Sequence, residues 1–299
     1  MDRLRQVIRY PEDEDILDAV GQLGLKSRPI LVMRDLARLV ELLQLSRRGS
    51  LDRLAVAGGM AMRCYGSTRF TMADLDTSAV ITPVDREDLE DALNYEDDSI
   101  VIKVGTRKWW EEKKKLFTAA PIDFRFLRSR IQVADQDRRF SLTVSERGLL
   151  LHAVELELRN IYQFDLGLDG RRIPVMDKVE ICAEKTLGAA VFGIAKHYAD
   201  VAYLSLHYTE ELQKRREELR SVLAAKLKVG KKLFPAEYAS YPEVGSLRTP
   251  LIKPDQRHPK MASDWEATVR FLGGESISYE HAVEIVNAIY VPLLFSREV

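Results

Sequence analysis

Asp74-Leu75-Asp76 runs directly into Thr-Ser-Ala-Val-Ile-Thr, which sets two carboxylates in a segment with the composition of a sheet interior. Side chains of a strand alternate between its faces, so Asp74 and Asp76 project from one face and Leu75 from the other. Burying a charge without a partner is costly, so that face must meet either water or a cation. An Asp-x-Asp taken alone is more often a solvated loop or strand edge than a metal site. Here it follows the glycine pair Gly58-Gly59. Glycine lets backbone N–H groups approach phosphate oxygens, and a helix N-terminus behind the turn adds a favourable dipole. Paired carboxylates suit Mg²⁺, which is commonly held by one or two of them together with substrate phosphates.

The rest of the chain bounds what such a segment can do. Of 299 residues, 46% are hydrophobic and 30% charged, enough apolar mass for one large domain or two small ones. Lys and Arg number 45 against 46 Asp and Glu, so any site for a polyanion must come from local clustering. Cys64 and Cys182 lack metal-ligand spacing, which argues against structural zinc and a disulfide-stapled fold, and makes a reducing cytoplasm the expected setting. The first residues lack an apolar signal core. No run of about 18 apolar residues occurs, so neither export nor a membrane partner is expected.

Periodicity predicts an amphipathic helix over Arg28 to Ser46, with Ile30, Met33, Leu36, Leu39, Leu42 and Leu43 at helical intervals. Arg53 to Gly59 reads as a short strand or a helix lead-in to a tight turn, short strands are expected at Ser99 to Gly105, Pro121 to Ser129 and Gly170 to Asp177, and a helix at Val84 to Asn94. From Lys178 onward the pattern turns helical, beginning with what reads as one long helix to Tyr208. The expected organisation is an α/β domain over 1–170 and a helical domain over 171–299. On the long helix, at about 100° per residue, Lys185, Lys196 and Asp200 form one polar stripe. That stripe also suits a plain solvated face. Basic segments lie at Arg107 to Lys115, with Trp109 and Trp110, at Gln213 to Ser221 and at Lys226 to Lys232. Tryptophans can stack on unpaired bases, although basic runs mixed with glutamate usually mark exposed helices.

Gly-Gly, a short helix, Arg then Thr, and Asp-x-Asp on a strand resemble the polymerase-β-type nucleotidyltransferase core, and specifically the AbiEii/AbiGii toxin family with its MenT-like members. The resemblance spans roughly Leu54 to Leu204. It implies an α+β fold, a mixed sheet flanked by helices and followed by a helical part that completes the active site. It also implies Mg²⁺ or Mn²⁺ on Asp74 and Asp76, and a nucleoside triphosphate (NTP) over the turn at Gly58 and Gly59 with Arg69 nearby. Asp123 would be a third carboxylate on a neighbouring strand. Lys185 would contact the triphosphate, Asp200 would support the site, and Lys196 would pair with Asp200 at i,i+4. Where this superfamily often has Ser or Thr after the glycines, the chain has Met60.

The activity so implied is transfer of a nucleotide from an NTP to RNA, with tRNA 3′ ends as the acceptor and a cognate antitoxin as partner. Two alternatives stay open on the residues: an NTP-dependent phosphotransferase acting on a protein hydroxyl, and an inactive nucleotide-binding partner protein.

Overall fold

The computed structural model describes residues 8–25, 28–68, 74–105, 109–112, 117–132, 139–269 and 277–296. The chain divides into two compact units, Met1–Met176 and Asp177–Val299.

The first unit is built on a nine-stranded mixed sheet. In chain order it contains α1 (Asp13–Gln22), α2 (Pro29–Arg47), β1 (Leu54–Val56), α3 (Gly58–Cys64), β2 (Asp74–Ala79), α4 (Arg86–Leu93) and β3 (Tyr95–Glu96). There follow β4 (Ile100–Val104), β5 (Trp110–Glu112), β6 (Phe117–Phe126), β7 (Arg139–Ser145), β8 (Val154–Glu157) and β9 (Arg172–Val175). The strand order is β3-β4-β6-β7-β2-β1-β9-β8, with β5 paired to β6 outside that path. The β2–β7 and β1–β9 pairs are parallel and the others antiparallel.

Strand alternation separates two faces at the sheet centre. Leu75 and Thr77 of β2, Phe140, Leu142 and Val144 of β7, and Ala120, Ile122 and Phe124 of β6 are all buried. Their register places them on one face, while Asp74, Asp76 and Asp123 share the other.

Helix α2 departs from the amphipathic expectation. It is buried almost all round, including three charged residues, Asp35, Arg38 and Glu41. They recur every three residues, so they form a polar seam through a core helix. The Arg38 guanidinium lies over the Phe140 ring and pairs with Glu41 at 3.5 Å.

The second unit is helical. Its first elements are α5 (Lys178–Phe192), α6 (Ala195–His207), α7 (Thr209–Lys214) and α8 (Arg216–Leu233). The single long helix expected from Lys178 is thus two. Gly193 sits at φ 65°, ψ 31° and ends α5, with Gly193 N–H donating to Ala189 and Ile194 N–H to Gly188. Glycine occupies this left-handed position without the Cβ penalty, so the chain reverses there. The two helices then pack so tightly that a Cβ on Gly188 would overlap the His197 imidazole. Cations and carboxylates tie the unit together. Lys226 of α8 bridges Glu180 and Glu184 of α5 at 2.8 Å each, and Arg215 reaches Asp177 at 2.9 Å. No helix among the described residues is long and apolar enough to cross a membrane.

Candidate active site

The glycine turn and the carboxylate strand meet. Gly58 opens α3 at φ 60°, a conformation side chains resist, and a Cβ there would lie 2.9 Å from Asp76 Cγ and closer still to its carboxylate oxygen. Behind the turn, the Ala57 N–H donates to the Asp76 carbonyl at 2.8 Å. The carboxylate of Asp76 is therefore seated against bare backbone. Asp74 is exposed, and its carboxylate accepts a hydrogen bond from Ser141, its register partner on β7. The two acids are separated by about 6.7 Å of strand and point the same way.

Helix α3 is fixed from below by groups the sequence reading did not single out. Arg63 is fully buried, donating to Asp35 at 2.6 Å and to the Arg159 carbonyl at 2.9 Å. Tyr162 hydroxyl donates to the same Asp35 oxygen at 2.6 Å, and Tyr65 hydroxyl reaches the Met176 carbonyl at 3.0 Å. Although burial opposes its charge, Asp35 raises the Arg63 pKa above its ordinary value. A lone arginine inside the apolar run Met60 to Cys64 was the available signal. Met60 itself is fully buried, so the position where the superfamily often carries a hydroxyl serves here as core.

The charge of this site reaches the seam of α2. Burial pushes the Arg38 guanidinium down and the Glu41 carboxyl up, and the charge of Asp74 is felt by both.

Asp123 needs a correction. It lies on the same sheet face, but β6 pairs with β7 and not with β2, so a whole strand separates it from the Asp pair. Its register level is Arg139, two residues beyond the level of Asp74 at Ser141. The reason is the insertion of β7, whose parallel pairing with β2 takes the place a third carboxylate strand would need. Among the described residues no group of three or more His, Cys, Asp or Glu is placed to hold a metal ion. Hard carboxylate oxygens at Asp74 and Asp76 fit a divalent cation whose remaining ligands are water and phosphate.

In the second unit, Lys185 and Asp200 stand on different helices, α5 and α6, and form a buried ion pair at 2.9 Å. The turn at Gly193 separates Lys185 from the other two residues of the expected stripe, and Lys185 reaches Asp200 from the neighbouring helix. Lys196 is exposed and stands with Asp200 on α6 at the expected i,i+4 spacing. Phe192 is 40% exposed and Val201 fully buried. Gly59 lies in the first turn of α3. Arg69, Thr71, Lys113, Lys114 and Lys115 lie outside the described residues, while Trp109 and Trp110 are half-buried.

Three solved structures are similar to this chain over most of their length. A putative nucleotidyltransferase from Helicobacter pylori is 14% identical, with a TM-score of 0.50 over 92% of this chain and 94% of its own. JHP933, also from Helicobacter pylori, is 15% identical, with a TM-score of 0.48 over 92% and 91%. MenT4, a nucleotidyltransferase toxin from Mycobacterium tuberculosis H37Rv, is 18% identical, with a TM-score of 0.47 over 94% and 99%. Comparison with curated proteins gives no match. The family model described as nucleotidyl transferase AbiEii toxin, type IV TA system, matches residues 41–285, from the last turns of α2 through the glycine turn and Asp-x-Asp strand to the last helices. The chain therefore belongs to the AbiEii nucleotidyl transferase toxin family of type IV toxin–antitoxin systems.

Proposed function

We propose that this toxin transfers a nucleotide from an NTP to RNA, with a tRNA 3′ end as acceptor and a cognate antitoxin as its neutralising partner. The observation that carries the reading is the seating of Asp76 against Gly58, with Asp74 beside it on one sheet face. Asp74 and Asp76 would hold Mg²⁺ or Mn²⁺, which when bound supplies neutralisation of the triphosphate and polarisation of its α-phosphorus.

The chain's own residues do the positioning. Gly58 leaves backbone open at the start of α3, where phosphate oxygens can approach without a side chain between. Ser141 orients the Asp74 carboxylate, and the Asp35–Arg63–Tyr162 network holds α3 in place. The acceptor hydroxyl forms a bond to the α-phosphorus as the bond to pyrophosphate breaks, so one oxygen–phosphorus bond replaces another and no covalent enzyme intermediate is needed. Asp123, a strand away, is assigned to the acceptor side, where a carboxylate can take the hydroxyl proton. Lys185, steadied by Asp200, is assigned to the triphosphate, where a cation offsets charge on the leaving pyrophosphate. Gly59, Arg69 and Lys196 complete the assigned binding residues.

The test is the fate of the label. With NTP labelled on the α-phosphate and total cellular RNA, label is expected on RNA, and with γ-label it is expected on pyrophosphate alone. Asp76→Ala is expected to remove transfer while leaving the circular dichroism spectrum and melting temperature near parental values. Label from the γ-phosphate on protein, with RNA unlabelled, would overturn the reading in favour of a phosphotransferase.

A further inference from the structure

On one side of α8, Lys226 is neutralised by two glutamates, and Arg215, the residue before the helix, by Asp177, Glu211 and Glu218. Arg220, Lys228 and Lys231 lie on the opposite stripe, within about 80° of one another around the axis. Lys228 has no carboxylate partner among the described residues. Lys231 donates to the Pro242 carbonyl, which leaves its charge in place, and Arg220 meets Glu217 only at 3.8 Å.

This stripe lines one wall of a cavity of about 560 Å³ whose other wall is the segment Pro242 to Gly245. Ser221 and Ala224 keep the helix side low between the cations, and the acids of the lining are Glu217 and Glu243. From Arg220 to Lys231 the cations extend along about 16 Å of helix axis. No exposed large apolar side chain lines the groove, so it has neither the aromatic anchor of a protein hot spot nor a wedge for a membrane.

We infer that this groove binds the phosphate backbone of single-stranded RNA, using Arg220, Lys228 and Lys231 as successive phosphate contacts. The inference rests on the reading of RNA as acceptor and gives that acceptor a second point of attachment. A line of three cations, of which only Arg220 meets a carboxylate among the described residues and that at 3.8 Å, along a groove without base-specific pockets takes a linear polyanion and does not read its sequence.

The experiment is fluorescence anisotropy of a short labelled single-stranded RNA against full-length protein over a salt series. Compared are the parent, the triple variant Arg220→Gln/Lys228→Gln/Lys231→Gln, the single variant Ser221→Glu, and a charge-matched control, Lys214→Gln/Lys253→Gln/Lys260→Gln. Circular dichroism checks that all fold alike. The groove triple is expected to lower the slope of log affinity against log salt by about 2, from roughly 0.7 per phosphate contact on single strands. Ser221→Glu is expected to weaken binding, and the control to keep the parental slope. Equal losses in control and groove variants, or none in either, would overturn the groove. Competition by polyglutamate as strong as by RNA of equal charge would overturn RNA in favour of an acidic protein partner. Labelling of RNA by the groove triple at the parental rate would remove the groove while leaving the acceptor reading standing. RNA bound in the groove but never labelled would do the reverse.

Discussion

Gly58 and Asp76 occupy one another's space so closely that no side chain other than hydrogen fits at position 58. Gly58→Ala meets two obstacles, a backbone at φ 60° and a Cβ that displaces the Asp76 carboxylate. The first costs about 1–2 kcal/mol for an L-residue in the left-handed region. The expected outcome is a modest fall in melting temperature with loss of nucleotide transfer. Parental transfer by a folded Gly58→Ala protein would show that Asp76 need not stay where this packing holds it.

Asp35 is the acceptor on which Arg63 and Tyr162 converge, all three buried. Asp35→Ala leaves the Arg63 charge without its carboxylate and is expected to cost about 3–5 kcal/mol. Tyr162→Phe removes one hydrogen bond to a charged group and is expected to cost about 1.5–3 kcal/mol. Urea unfolding of each variant checks the order. Equal costs would mean that losing Asp35 does not leave the Arg63 charge uncompensated.

The parts of this molecule legible in the sequence are those written over short spans. The glycine turn, Asp-x-Asp and the alternation of Leu75 with its flanking acids lie within some twenty residues, and local geometry fixes how they meet. Strand order is another matter. That β7 would enter between β2 and β6 depends on its pairing with β2 across more than sixty residues, and nothing in Phe140 to Ser145 names that neighbour. The buried seam of α2 was hidden because charges at Asp35, Arg38 and Glu41 look like the wet side of an amphipathic helix until partners such as Arg63 and Phe140 are placed. The break at Gly193 had a visible signal, a glycine after a helical run, but helical periodicity continues across it and masked the turn.

Both cysteines are buried, and burial pushes each thiol up to about 12 from an ordinary value near 9. The folded state thus holds these protons more tightly than the unfolded one. Their contribution to stability is complete below about pH 9 and is lost as pH rises toward 12. At pH 8 a thiol-specific reagent is expected to label neither in the native protein and both after denaturation. Cys182→Ser is expected to lose less stability than the parent between pH 9 and 11, measured by thermal unfolding. A fast-labelling native thiol would contradict the burial.

Lys185 and Asp200 pose a question that one substitution cannot answer. They form a buried pair at 2.9 Å between α5 and α6, so Lys185→Met strands a carboxylate in the core and is expected to cost about 3–5 kcal/mol whether or not the lysine binds a triphosphate. Loss of transfer in that variant would report on folding as much as on chemistry. The double variant Lys185→Met/Asp200→Leu removes both charges at similar volume, and such replacements are often neutral or stabilising. Its urea midpoint is expected to return to the parental value or above it, while transfer stays absent and NTP affinity, measured by calorimetry, stays weak. A double variant that is stable and transfers nucleotide at the parental rate would confine the pair to holding α5 against α6 and leave the triphosphate to other cations.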